Sequence, residues 1–263
     1  MDDDAAPEVI DGIRSLHSRM DELHRLIEQR LGAEGMHPTL PAWRRETQGE
    51  LRWPVTVTLF AAAALQAFVP DRLVLVRPSW VLPAAEGALM IVLITANPRR
   101  INRQSRFMRS LSLVLGMLLT LANGWSVARL AVGITQGSSI SRNPGQLLIT
   151  GAVIWLTNVV VFGLWYWEFD RGGPVARALN IGNRYPDFQF PQMVSPPGMV
   201  PPDWEPAFLD YAYLAFTNAS AFSPTDVMPM SRWAKVAMTV QSLISIVTVA
   251  LVVSRAVNIL PTH

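Results

Sequence analysis

Apolar residues fall into blocks along this chain rather than alternating with polar ones. Four blocks are WPVTVTLFAAAALQAFV (53–69), VLPAAEGALMIVLITAN (81–97), SLSLVLGMLLTLANGWSVARLAVGI (110–134) and GQLLITGAVIWLTNVVVFGLWYW (145–167); a fifth covers 232–258. A helix rising about 1.5 Å per residue crosses a bilayer with about 20 residues. The third, fourth and last blocks meet that length, and the first two need their flanks. A shorter aromatic run, 207–223, either crosses as a sixth helix or re-enters from one side; six spans are preferred, with both termini inside. Ahead of the blocks, Val9, Ile13, Leu16, Met20, Leu23 and Ile27 recur at spacings of four and three. That pattern predicts an amphipathic helix over 8–31, read either as a coiled-coil seam or as a surface helix. The expected fold class is therefore all-α: a polytopic helical membrane protein with five to six membrane segments and a cytoplasmic N-terminal helix.

The expected domains are an amphipathic helix (1–35), a linker (36–52), a four-helix membrane region (53–170), a Pro/Gly-rich connector (171–206) and a C-terminal module (207–263). Connector 98–109, PRRINRQSRFMR, holds five arginines. By the positive-inside rule it is cytoplasmic, and the N-terminus with it. Trp165, Tyr166 and Trp167 are expected in an interfacial aromatic belt.

Composition agrees with a membrane class: half of the 263 residues are hydrophobic and 16% are charged. Arginine outnumbers lysine, with Lys235 the single lysine among 22 basic residues. That bias suggests a GC-rich bacterial genome and hence a bacterial inner membrane. The acidic start MDDDAAPEVI has no apolar core of a signal peptide. Cysteine is absent, which excludes disulfides and thiolate metal sites. The four histidines lie in the tails, no phosphate-binding loop is present, and no nucleophile has a base nearby in sequence. No cofactor, metal, nucleic acid or enzymatic activity is expected. The expected partners are the lipid bilayer, other copies of the chain, and inorganic ions.

Polar groups inside apolar blocks are costly and therefore informative. Glu86 and Arg129 have matched depths, about 7–8 Å below the outer face, and are expected to form an ion pair unless Arg129 snorkels to the interface. Asn123 and Asn158 are depth-matched too and could share a hydrogen bond. Gln241, Ser245 and Thr248 form one polar stripe on the last helix. The stretch FTNASAFSPTDVMPMSRWAK (216–235) is too polar to face lipid. Its Thr217, Asn218, Ser220, Thr225 and Asp226 are candidate pore-lining or water-contacting residues, with Asn218 and its neighbours packed on that stripe.

LDYAYLAFTNASAFSPTD, the helix after MSRWAK, and FPQM and PDW upstream resemble a bacterial membrane family called domain of unknown function 1345. More distantly, Phe216, Thr217, Asp226, Pro229 and the basic start of the last helix resemble the pore module of tetrameric potassium channels. The resemblance implies an oligomeric, channel-like C-terminal module. SAFSPT stands where such a filter has glycines, so a potassium-selective filter is not expected. The alternative is a non-conducting membrane scaffold that recruits a partner through its N-terminal helix.

Overall fold

The computed structural model describes residues 16, 19–23, 25–26, 40–96, 99–101, 106–137, 143–196, 198–223 and 226–259. The chain divides into two units, Met1–Pro41 and Ala42–His263. In the first unit the described residues between 16 and 26 are helical, and Leu16, Met20, Leu23 and Leu26 are exposed. Val9, Ile13 and Ile27 of the predicted seam lie outside the described residues.

The second unit is helical, with helices where the apolar blocks stand. They are α1 (Trp53–Gln66), α2 (Val81–Ala96), α3 (Arg106–Thr135), α4 (Pro144–Phe169), the short α5 (Pro174–Ala178), α6 (Phe208–Ala221) and α7 (Arg232–Ile259). Local chemistry sets several of their starts. Pro54 and Pro144 occupy first-turn positions, where no amide donor is needed. Asn143 caps α4 by accepting from the Gln146 amide at 3.1 Å. Asp210 reaches back to the Ala207 amide at 2.8 Å and fixes the first turn of α6.

Three helices, Phe107–Thr135, Pro144–Gly172 and Arg232–Ile259, are long and apolar enough to cross a membrane. The protein is thus mostly helical with membrane-spanning character, and α1 and α2 are shorter apolar helices. α4 is the central element: 61% of its apolar window is buried, against 28% and 33% for the other two long helices. α3 and α7 turn Val114, Met117, Leu121, Leu243, Val247 and Val253 outward, an apolar surface suited to lipid.

Residues 42–52, expected as a linker, are instead built into the fold. The Thr47 amide donates to Ala178 O at 2.8 Å, and the chain runs against 99–101 through Arg52 N–Arg99 O and Ile101 N–Glu50 O bonds. Gly49 makes this approach possible: its φ is +75°, and a Cβ there would lie 2.6 Å from Ile101 O. The described residues of connector 171–206 are likewise built into the fold. It contains α5 and a strand, β1 (Phe188–Gln189), which pairs antiparallel with β2 (Met228–Pro229).

That pairing determines the path of α6. α6 begins at the end of α4 that carries Phe169, where the Phe208 amide bonds Glu50 and Tyr211 bonds Asp170. α7 begins at the same end, where Trp233 bonds Asp187. Between them, β2 returns the chain to β1, beside Asp187. α6 therefore leaves one end of the bundle and the chain comes back to it, rather than crossing to the other end. The preferred crossing helix is corrected on this point. α6 is about 21 Å long at the helical rise, and the seven residues from Ala221 to Met228 can extend about 23 Å back.

The α4–α6 contact is close: a Cβ on Gly163 would lie 3.3 Å from Ala212 Cα. Gly163→Leu should push α6 off α4 and lower stability by about 1–3 kcal/mol, the usual cost of overpacking. Denaturant unfolding of the detergent-solubilised protein measures this, and an unchanged midpoint would contradict the α4–α6 contact.

Candidate functional site

The last carbonyls of a helix lack donors within it. At the end of α4 those donors come from Arg177 of α5, which bonds Trp167 O at 2.6 Å and Asp170 O at 3.0 Å. A buried guanidinium needs a counter-charge, and Glu50 supplies it at 3.5 Å. Glu50 also accepts from the Trp167 indole and, at 2.7 Å, from the Phe208 amide at the start of α6. The cation thus sits at a helix C-terminus and the anion at a helix N-terminus, the arrangement that helix dipoles favour. Burial pushes the Glu50 carboxyl above its usual range, against the opposing pull of Arg177, the Trp167 indole and the Phe208 amide.

Two aspartates extend this hub. Asp170 accepts from Tyr211 Oη at 2.5 Å and from the Asp187 amide at 2.8 Å. Asp187 accepts from the Arg171 amide at 3.0 Å and the Trp233 indole at 2.7 Å, and its carbonyl from the Met230 amide at 2.7 Å. Arg171 donates to Trp43 O, to Asn183 O at 3.1 Å and to Asn180 Oδ1 at 3.1 Å. Tyr166 and Trp167 are buried in or beside this packing, with Tyr166 at 0% exposure, so they do not form the expected interfacial belt. The ordered connector covers them. Beside the hub, Arg52, Arg109, Ser112 and Glu168 line a cavity of about 70 Å³ that is otherwise apolar. Ser112 Oγ donates to Glu168 at 3.1 Å and Arg109 to Gly172 O at 2.6 Å.

Deeper in the bundle lies a second, uncharged network, centred on the fully buried Gln241. Its Oε1 accepts from Tyr166 Oη at 2.6 Å and Asn218 Nδ2 at 2.8 Å, and its Nε2 donates to Ala215 O at 2.8 Å. Ser242 Oγ donates to Asn218 Oδ1 at 3.2 Å, and Asn158 Nδ2 to Ser245 Oγ at 3.1 Å. Asn158 Nδ2 also reaches Gln241 O at 3.5 Å. Asn158 lies about 16 Å from the end of α4 at the helical rise, so this network sits well inside the bundle. Asn158 Oδ1 and Thr248 Oγ1 are buried without hydrogen-bond partners.

Of the sequence-predicted residues, the structure brings Asn218, Gln241 and Ser245 together. Thr248 is buried further along the same stripe. Thr217 and Ser220 bond back to carbonyls of their own helix, at Tyr213, Leu214 and Phe216. Ser220 and Asp226 are exposed, and Thr225 lies outside the described residues. The expected Glu86–Arg129 pair does not form. Glu86 is fully buried and accepts from Gln66 Nε2 at 2.7 Å, whereas the exposed Arg129 donates to Arg72 O at 3.4 Å in the loop above. Equal depth does not set rotation about a helix axis, and the arginine reaches water instead. Asn123 and Asn158 do not meet either, since Asn158 faces α7.

Glu50, Asp170, Arg177, Asp187 and Tyr211 were not singled out from sequence, and Tyr166 was singled out only for an interfacial belt. One signal was available: charged residues immediately before the first apolar block and immediately after the fourth are candidates to cap helix ends. Among the described residues no three His, Asp or Glu side chains cluster as a metal site requires. Comparisons with protein-family models, curated proteins and solved structures find no match to this chain.

Glu50→Gln and Arg177→Met should each cost about 3–5 kcal/mol by stranding the other charge, and the double change less than their sum. A double-mutant cycle on denaturant unfolding in detergent measures the coupling, and strict additivity would exclude it.

Proposed function

We propose that this chain is a channel-like bacterial inner-membrane protein with five spans and one re-entrant helix. In this reading it assembles as a homo-oligomer and passes small cations along a water-filled path beside the re-entrant turns. α1, α2, α3, α4 and α7 span, and α6 enters partway from the arginine-rich, cytoplasmic side. α1 and α2 are short, and the exposed Trp53 and Trp80 at their starts serve as interfacial anchors. The N-terminus is then inside and the C-terminus outside.

One observation carries this reading. The turn after α6 stands partway through the bundle, yet Ser220, Ala221, Phe222, Ser223 and Asp226 are exposed. Irregular backbone at membrane depth is viable only where it is covered by protein or lines water. A helix C-terminus aimed at the membrane interior carries partial negative charge, which favours cations. Phe222, not glycine, takes the left-handed conformation there, with φ 57°, so a stack of filter carbonyls is not part of the proposal. The likeness to the family and pore module noted above agrees with an element of this kind. The alternative, a non-conducting scaffold, draws on the exposed Leu16, Met20, Leu23 and Leu26 face of the N-terminal helix.

Purified protein in liposomes should pass monovalent cations, and a cationic thiol reagent on Ser223→Cys should reduce that flux several-fold. The conducting reading is wrong if no cation flux exceeds the empty-liposome background at either sign of voltage. Deleting 1–35 then tests the scaffold, which requires the loss of a bound partner. Topology has its own test: on intact cells an impermeant thiol reagent should label Asn258→Cys and spare Tyr185→Cys. The reverse pattern would invert the orientation.

A further inference from the structure

Glu86 takes no part in either network described above. It is fully buried in α2, its Oε2 accepts from Gln66 Nε2 at 2.7 Å, and its Oε1 is buried without a partner. α1 and α3 pack on α2. α1 carries no charged residue. Of the three arginines on α3, Arg129 is turned to Arg72 O, and Arg106 and Arg109 belong to the opposite end, Arg109 at Gly172 O. The loop 67–80 carries Asp71, Arg72 and Arg77, and Arg77 bonds Asp71 O at 3.1 Å. None of these side chains makes an ion pair with Glu86. Gln66 has a second role: with Asn123, Ser126 and Thr157 it lines a cavity of about 20 Å³ beneath that loop. A cavity holds a water once about 10–15 Å³ is open to its centre and polar partners line it. Asn123, 6% exposed, makes no hydrogen bond within the described residues and is available to that water.

We infer that Glu86 is an exchangeable proton-binding site, reached from the loop 67–80 side by way of the cavity that its partner Gln66 lines with Leu82, Asn123 and Thr157, one side chain away from the carboxyl. A carboxylate stripped of water and of any counter-ion is compensated by a bound positive charge. A proton reaches Glu86 as follows: an O–H bond of a hydronium ion breaks, an O–H bond forms on Oε1, and water remains behind. Release is the reverse, with no redox change. Gln66 holds the other oxygen, so that Oε1 is the one that exchanges. The site is independent of conduction past α6: a silent protein in liposomes leaves it intact, and an active one does not establish it.

Infrared difference spectra between acid and alkaline pH, taken on the full chain in lipid, test the site. The expected result is a carboxylic-acid C=O band that comes and goes with pH, is lost in Glu86→Gln, and shifts in frequency and midpoint in Gln66→Leu. If Glu86→Gln does not fold, Glu86→Asp replaces it, with a displaced band expected. Dicyclohexylcarbodiimide should form an adduct on the peptide containing Glu86, less of it as pH rises. A band insensitive to pH, a band unchanged by the Glu86 substitution, or a Glu86 peptide free of adduct overturns the inference.

Discussion

One ion pair, Arg177 with Glu50, joins two segments that lie 127 residues apart in sequence and ties the ends of two helices together. Arg177 closes the C-terminus of α4, and Glu50 closes the N-terminus of α6 while pairing with Arg177 from 127 residues away. Each ion meets a helix end of opposite partial charge, which offsets part of the desolvation that a buried pair costs. The consequences spread outward. With α4 capped there, the ordered segment 42–52 must lie across the bundle end, and the connector must fold back so that Arg177 can reach. Asp170 and Asp187 then anchor α6, β2 and α7 to the same place.

A helix held at one end and stopped partway through a bundle leaves carbonyls near its tip without helical donors. Ser242 of α7 answers part of that need, its Oγ reaching Asn218 O at 3.4 Å. Gln241 adds a bond from its Nε2 to Ala215 O, more than a turn before the end of α6. Tyr166 and Asn218 in turn satisfy the Gln241 oxygen. The stripe on α7 thus meets the polar groups that α4 and α6 turn toward it. Two networks, one charged and one neutral, support a single element, and that element is where function is proposed.

The segmentation of the chain was legible in its apolar runs: α1, α2, α3, α4 and α7 lie where hydrophobic blocks stand and α6 covers the shorter aromatic run, because helix formation depends on neighbours a few residues away. The meeting of Asn218 with Gln241 was legible for a related reason, since two polar groups on adjacent apolar helices have few other partners. Depth alone misled for Glu86 and Arg129: residues at one level can point in any direction around their helices, and a long arginine reaches the interface. The hub was not legible. Its members sit in segments read as linker and connector, and nothing local distinguishes a solvated Glu50 or Arg177 from a buried one. The same limit applies to α6. A run of 14 residues can carry the chain to the far end of a bundle or be followed by its return to the near end, and the difference lies in a two-residue strand pairing with β1, far away in the chain. Contacts between distant segments, absent from any local pattern, decide which charges are buried and which helix turns back.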